Sequence, residues 1–154
     1  MINLTEAELD LETTLNIVRG MKEMAGIDNE THPAEQAIID AFVAELQGEH
    51  GDLCVVPDTV NQSLFNTPEK QLLFLQCITY VALADEQIQD VETELLNKYI
   101  SAFSVDVTAT DLVRNIGSAV LARYRGISVF TDETVALGAS FGLSEEEVLA
   151  IIKE

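Results

Sequence analysis

The segment Asp28-Asn29-Glu30-Thr31-His32-Pro33-Ala34-Glu35 lies between two apolar stretches with helical spacing, and Asp85-Glu86-Gln87-Ile88-Gln89-Asp90-Val91-Glu92 lies between two more. We call these segments the first and the second acidic elbow. Each elbow places an aspartate and a glutamate seven residues apart, so one shift along the chain carries Asp28 onto Asp85 and Glu35 onto Glu92. We call this shift the repeat offset. The chain therefore contains the order helix, acidic turn, helix twice.

The apolar residues around the elbows overlay without a gap when the chain is shifted by the repeat offset. Any two helical hairpins share a period of 3.6 residues, so the apolar matches alone are weak support for a repeat. Equal turn length with the same acids at both ends favours a true internal duplication. The matched pairs are Leu15 with Leu72, Ile17 with Phe74, Val18 with Leu75, Met21 with Ile78, Met24 with Val81, Ala25 with Ala82, Ile38 with Leu95, Ile39 with Leu96, Phe42 with Tyr99, Val43 with Ile100, and Leu46 with Phe103.

The periodicity predicts an all-α fold with about seven helices in a single domain over residues 1–154. Repeat A covers about residues 10–48 and repeat B about residues 67–105, and further helices occupy residues 108–154. Between the repeats we expect a loop, with a short helix from Asp58 to Phe65.

Capping signals predict where the helices begin and end. The first helix should follow a capping box at Thr5 and end near Ala25-Gly26, the second should start at Pro33 and stop near Gly48, and the third should run from Pro68 to about Ala84. The fourth helix should run from Glu92 to Phe103. Three further helices should follow, the first capped by Thr108 or Thr110, the second by Thr131 and the third by Ser144.

The composition excludes several classes of protein. Apolar residues make up 47% of the 154 residues, too many for a disordered chain. The net charge of −19, from 27 acids and 8 bases, argues against nucleic acid or anionic membranes as partners. The longest apolar run, Leu72 to Ala84, is too short and too mixed to span a bilayer. The charge is compatible with cation binding, with a basic protein partner, or simply with solubility.

The cysteines and the first residues predict a reduced, cytoplasmic protein. Residues 1–6 have no basic start and no apolar core of a signal peptide. Cys54 and Cys77 form no CxxC pair, and Cys77 has the setting of a small core residue. Together with His32 and His50 they do not resemble a structural zinc site.

The elbows suggest a site for a hard divalent cation. In each copy the aspartate follows the end of one helix and the glutamate lies in the first turn of the next, and a helical hairpin brings such positions together. Converging carboxylates suit Ca²⁺ or Mg²⁺. The predicted ligands are Asp28, Glu35, Asp85 and Glu92, with Glu30, His32 and Asp90 as possible additional ligands.

A purely structural role explains the same acids. If His32 is an N-cap, Glu35 is the third helical residue and can accept the N-cap backbone N–H, and Glu92 relates to Gln89 in the same way. The two aspartates could cap turn amides. Neither elbow is an EF-hand, because the sixth-position glycine and twelfth-position glutamate are absent. The residues alone leave both interpretations open.

The pattern Ala-x-x-Asp-x-x-Ile-x-x-x-Glu at residues 82–92 resembles the TerB-like tellurite-resistance family, and the first elbow is similar to that family's Asp-Gly-Glu-Ile-His-Pro-Ala-Glu form. The resemblance covers about residues 10–105. It implies an all-helical cytoplasmic module with tandem hairpins, linked to metal or chemical stress, whose elbow acids bind a divalent cation. Asn29 and Glu86 stand where the family often has glycine, and Thr31 stands where it has isoleucine.

These observations favour a non-enzymatic, cation-binding stress protein. The alternative is an acidic protein-interaction module with structural turns and a basic protein as its partner. The sequence has no nucleophile elbow, phosphate-binding glycine loop or HExxH motif, so we expect no enzymatic activity. Nothing in it predicts the oligomeric state.

Overall fold

The computed structural model describes residues 9–27, 32–85, 88–126 and 131–153. Within these residues the chain forms seven α-helices, short 3₁₀ turns and no strand, which confirms the predicted all-α fold. The helices are α1 (Leu11–Ala25), α2 (Pro33–His50), α3 (Pro68–Ala82), α4 (Asp90–Phe103), α5 (Ala109–Leu121), α6 (Thr131–Ser140) and α7 (Glu145–Lys153). The 3₁₀ turns are Gly51–Leu53, Gln62–Leu64 and Ala122–Tyr124.

Most helix boundaries of the two hairpins follow the repeat offset, although α2 is longer than α4. Shifting α1 by this offset gives both ends of α3, and shifting the first residue of α2 gives the first residue of α4. The residues before α1 and α3 also correspond: the Asp10 carboxylate accepts the Thr13 N–H at 2.8 Å, and the Thr67 hydroxyl accepts the Lys70 N–H at 3.3 Å. The two hairpins therefore share the bounds of their first helix, the start of their second helix and a side-chain cap, as well as their apolar pattern.

Helices α1 and α3 pack against each other at the centre of the molecule. All but one of their matched apolar residues are buried, among them Val18 and Met21 on α1 and Leu75 and Ile78 on α3, and the exception, Leu72, is half-buried. The close approach depends on Gly20, because a Cβ atom there would lie 2.5 Å from two ring atoms of Phe74. Phe74 in turn belongs to an aromatic cluster with Phe65, Tyr99 and Phe103.

The C-terminal helices extend the same core. Helix α5 packs on α3 and α4, and α6 and α7 pack on α5. Arg114 on α5 donates to the backbone carbonyl of Gly142, and its guanidinium lies 2.5 Å from a carboxylate oxygen of Glu147 on α7. The predicted Ser144 cap is present, because its hydroxyl accepts the Glu147 N–H at 3.2 Å. Within the described residues, no helix has both the length and the hydrophobicity to cross a bilayer.

Several predicted helix boundaries differ from the structure. Helix α3 ends at Ala82 and not near Ala84, α4 begins at Asp90 and not at Glu92, and Thr131, predicted to cap a helix, is instead the first residue of α6.

Three further differences have local causes. Helix α1 begins at Leu11, because Asp10 supplies the N-cap, whereas Thr5 lies outside the described residues. Helix α2 runs past Gly48 to His50 and ends where Gly51 adopts a positive φ of 59°. The helix expected over residues 58–65 is only the 3₁₀ turn at 62–64, because the Asn61 side chain caps a local turn through the Ser63 N–H.

Candidate functional site

Two buried glutamates occupy equivalent positions in the elbows. Glu35 is the third residue of α2 and Glu92 is the third residue of α4, and each is only 4% exposed. Glutamate is rarely buried to this degree without partners, because removing a carboxylate from water is costly. The elbows are thus the places where the fold retains acidic side chains beside its core.

Each glutamate accepts the backbone N–H of the residue that precedes its helix. His32 donates its N–H to Glu35 Oε1 at 3.1 Å, and Gln89 donates its N–H to Glu92 Oε1 at 2.8 Å. The His32 side chain also acts as a cap, since its Nδ1 accepts the Ala34 N–H at 3.1 Å. The capping role that the sequence allowed for both glutamates is therefore confirmed.

The other predicted ligands have different surroundings. Asp85 is half-buried and lies in the turn after α3, whereas Asp90, the first residue of α4, and His32 are exposed. Asp28 and Glu30 lie outside the described residues. Glu35, Asp85 and Glu92 all have interaction partners within the protein. Among the residues that the structure describes, no three His, Cys, Asp or Glu side chains form a group that could hold a metal.

Among the grooves that the described residues form beside the elbows, two were not identified from the sequence and correspond to each other. The α2–α3 groove, of about 280 Å³, is lined by Ala34, Ala37, Ile38, Tyr80, Leu83, Ala84, Val120, Arg123 and Tyr124. The α1–α4 groove, of about 290 Å³, is lined by Glu23, Ile27, Val91, Glu94, Leu95 and Lys98. The repeat offset relates the two linings, because it pairs Ala34 with Val91, Ala37 with Glu94, Ile38 with Leu95, Glu23 with Tyr80, and Ile27 with Ala84.

The two grooves differ in what lies at one equivalent position. In the α2–α3 groove that position is Tyr80, whose hydroxyl accepts from the Arg123 guanidinium, and the guanidinium carbon lies 5.7 Å from the ring centroid. In the α1–α4 groove the position is Glu23, whose carboxylate accepts the Tyr99 hydroxyl at 2.8 Å and lies 3.6 Å from the Lys98 ammonium. A signal for these grooves existed in the repeat offset, but nothing in the sequence alone shows which pairs of helices face each other.

Burial and the contact with Glu23 both influence the pKa of Tyr99. Burial is the main reason that the pKa of Tyr99 is raised above its ordinary value, and the hydrogen bond to Glu23 raises it further. The phenol is therefore held in its protonated form, as a donor.

Comparison of the chain with protein-family models finds no match, and no curated protein or solved structure matches it either.

Proposed function

We propose that this protein is a non-enzymatic, TerB-like binding module of the stress response, whose acidic elbows hold a divalent cation such as Ca²⁺ or Mg²⁺. The observation that supports it most is the equivalent burial of Glu35 and Glu92, both 4% exposed and both at the start of the second helix of a hairpin. Carboxylate oxygens in such a setting are the ligands that these hard cations prefer.

Helix electrostatics explain how an elbow could hold both a carboxylate and a cation. The N-terminus of α4 favours the negative charge of Glu92, and the C-terminus of α3 favours a positive ion near Asp85. One carboxylate oxygen of Glu92 accepts the Gln89 N–H, and this hydrogen bond fixes the side chain before an ion arrives. In this proposal a cation would add bonds to carboxylates whose positions the helix cap already restricts.

A thermal-shift measurement on chelator-treated protein tests the proposal. A bound ligand stabilises the folded state by about 2.7 kcal/mol at a concentration of 100 Kd, which corresponds to a rise in Tm of roughly 5–10 °C for a chain of this size. We expect Ca²⁺ or Mg²⁺ to raise Tm in this way, and Asp28→Asn combined with Asp85→Asn to abolish the rise.

The matched control for that double variant is Asp52→Asn combined with Asp106→Asn. Both of these aspartates are exposed and lie outside the elbows, and the change in charge is the same. The control should keep the full ion-dependent rise. If millimolar Ca²⁺, Mg²⁺ and Zn²⁺ leave the wild-type Tm unchanged, or if both double variants respond alike, the cation proposal is wrong.

A protein-interaction module with structural elbows is the second candidate. The confirmed capping bonds at 3.1 Å and 2.8 Å favour it, because they explain both glutamates without an ion. Glu92→Gln separates the two candidates, since glutamine keeps an oxygen for the Gln89 N–H but removes the charge. If the elbows are only structural, the effect of ions on Tm should be the same for Glu92→Gln as for the wild-type protein. If they bind a cation, Glu92→Gln should lose the part of the ion-dependent rise in Tm that comes from the second elbow.

A further inference from the structure

The α2–α3 groove has a third wall in addition to the two helices after which it is named. Its third wall comes from the end of α5 and the 3₁₀ turn after it, where Val120, Arg123 and Tyr124 line the groove. The end of α5 and the 3₁₀ turn after it thus wall the α2–α3 groove with an apolar, a basic and an aromatic side chain. Of the described residues, only α1, Ile27 and α4 line the equivalent α1–α4 groove.

The α1–α4 groove has an apolar lining that is partly open to solvent. Of its apolar lining residues, Leu95 is 5% exposed, Ile27 is half-buried, and Val91 is 37% exposed. Val91 in the α1–α4 groove corresponds to Ala34 in the α2–α3 groove, so the α1–α4 groove has the larger apolar side chain at this position. Exposed apolar residues rimmed by charges are typical of interaction sites.

The charges in the α1–α4 groove favour a basic partner, because its lining has two carboxylates, Glu23 and Glu94, and one cation, Lys98. Glu23 occupies the position that Tyr80 has in the α2–α3 groove, where Tyr80 accepts a hydrogen bond from Arg123. Glu94 likewise occupies the position of Ala37. A basic side chain placed like Arg123 would therefore meet a carboxylate instead of a phenol. The net charge of −19 for the whole chain adds long-range attraction for such a partner.

We propose that the α1–α4 groove is a docking site for a basic amphipathic helix of a partner protein, which takes the place that the end of α5 takes in the α2–α3 groove. Apolar side chains of that helix pack on Val91 and Leu95, and an arginine or lysine pairs with Glu23 and Glu94. The inference deepens the interaction-module candidate and requires no ion at the elbows.

A peptide that copies residues 109–125 serves as the probe, because it contains the segment that lines the α2–α3 groove. Fluorescence anisotropy of the labelled peptide should show salt-sensitive binding to the wild-type protein. Glu94→Lys should weaken the binding about tenfold or more, because like charges across an interface cost several kcal/mol. Val91→Asp should weaken it as well, and Lys98→Glu should tighten it.

Glu133→Lys is the matched control, because Glu133 is an exposed residue of α6 and the change in charge is identical. It should leave the peptide affinity within about twofold of wild type, since Glu133 does not line the groove and an exposed charge is screened by salt. A second control is the same peptide carrying Arg123→Glu and Arg125→Glu, which should not bind. Backbone amide shifts in the labelled protein should locate the peptide at Ile27, Val91 and Leu95.

Three results would overturn the docking proposal. The first is absence of peptide binding at low salt, and the second is an equal effect of Glu94→Lys and Glu133→Lys, which would show non-specific charge attraction. The third is a protein dimer in sedimentation that Glu94→Lys dissociates, because a second copy would then occupy the groove. Repeating the titration with chelator and with Ca²⁺ separates this test from the cation proposal, since peptide binding should persist in both.

Discussion

The hydroxyl of Tyr99 on α4 donates a hydrogen bond of 2.8 Å to a carboxylate oxygen of Glu23 on α1. Tyr99 is 2% exposed and packs edge-on against Phe74, whereas the Glu23 side chain is 24% exposed and also faces Lys98. The bond joins the second helix of one hairpin to the first helix of the other. It therefore links the aromatic core to the α1–α4 groove.

Tyr99→Phe should lower the free energy of unfolding by about 1–2 kcal/mol. The change removes a hydrogen bond to a charged acceptor, and the partial exposure of Glu23 keeps the loss at the lower end of the range for such bonds. The ring contact with Phe74 is preserved, so the variant should remain folded. Urea denaturation followed by circular dichroism measures the difference, and an unchanged midpoint would show that the bond adds no stability.

The stability of the wild-type protein should fall at alkaline pH in a way that depends on Tyr99. Burial raises the folded-state pKa of Tyr99 above the ordinary value near 10. The unfolded chain then loses this proton first, so the contribution to stability is complete below about pH 10 and is lost as the pH rises toward the folded-state pKa. Unfolding free energies from about pH 8 to about pH 11 should decline more steeply for wild type than for Tyr99→Phe. Parallel curves would contradict this.

Gly20→Ala should destabilise the protein by about 1–3 kcal/mol, because its Cβ would lie 2.5 Å from ring atoms of the fully buried Phe74. The matched control is Gly48→Ala in α2, where the added Cβ would have no atom within 4 Å apart from the backbone of α2 and the adjacent residues. That variant should gain about 0.4–1 kcal/mol, since alanine restricts the unfolded chain and favours helix. Thermal unfolding measures both, and equal effects would mean that α1 and α3 do not approach as described.

The two cysteines should differ in reactivity. Burial raises the pKa of Cys77 to about 12, so its thiolate is scarce at neutral pH, whereas Cys54 is half-buried near the surface loop. We expect a disulfide reagent to modify Cys54 rapidly and Cys77 only when the protein unfolds. Cys54→Ser should abolish the fast phase. Rapid labelling of Cys77 in the native protein would be inconsistent with the packing of α3.

The repeated elbows allowed most of the fold to be predicted from the sequence. Pro33 and Thr67-Pro68 are local signals that encode helix starts directly, and the structure has α2 and α3 begin there. The start of α1 was missed because only the capping box at Thr5 was considered, whereas the structure has Asp10 as the N-cap of α1. The prediction of a short helix over residues 58–65 was wrong because the side chain of Asn61 caps a local turn, and this hydrogen bond competes with helix formation.

For the candidate site, the sequence predicted local contacts but not contacts between distant residues. The capping bonds of Glu35 and Glu92 span three residues and were foreseen as one of two alternatives. The bond between Glu23 and Tyr99 and the equivalence of the grooves depend on how the hairpins pack, which helical periodicity does not specify. The assignment of the elbow acids as cation ligands stays a prediction.

Calorimetric titration of chelator-treated protein with Ca²⁺ and Mg²⁺ tests the central claim most directly. We expect a saturable binding heat that Asp85→Asn with Glu92→Gln reduces by removing the second elbow's contribution, whereas the surface pair Asp52→Asn and Asp106→Asn leaves the heat unchanged. Absence of a saturable heat for either ion in the wild-type protein would contradict the claim, and the elbow glutamates would then be helix caps alone.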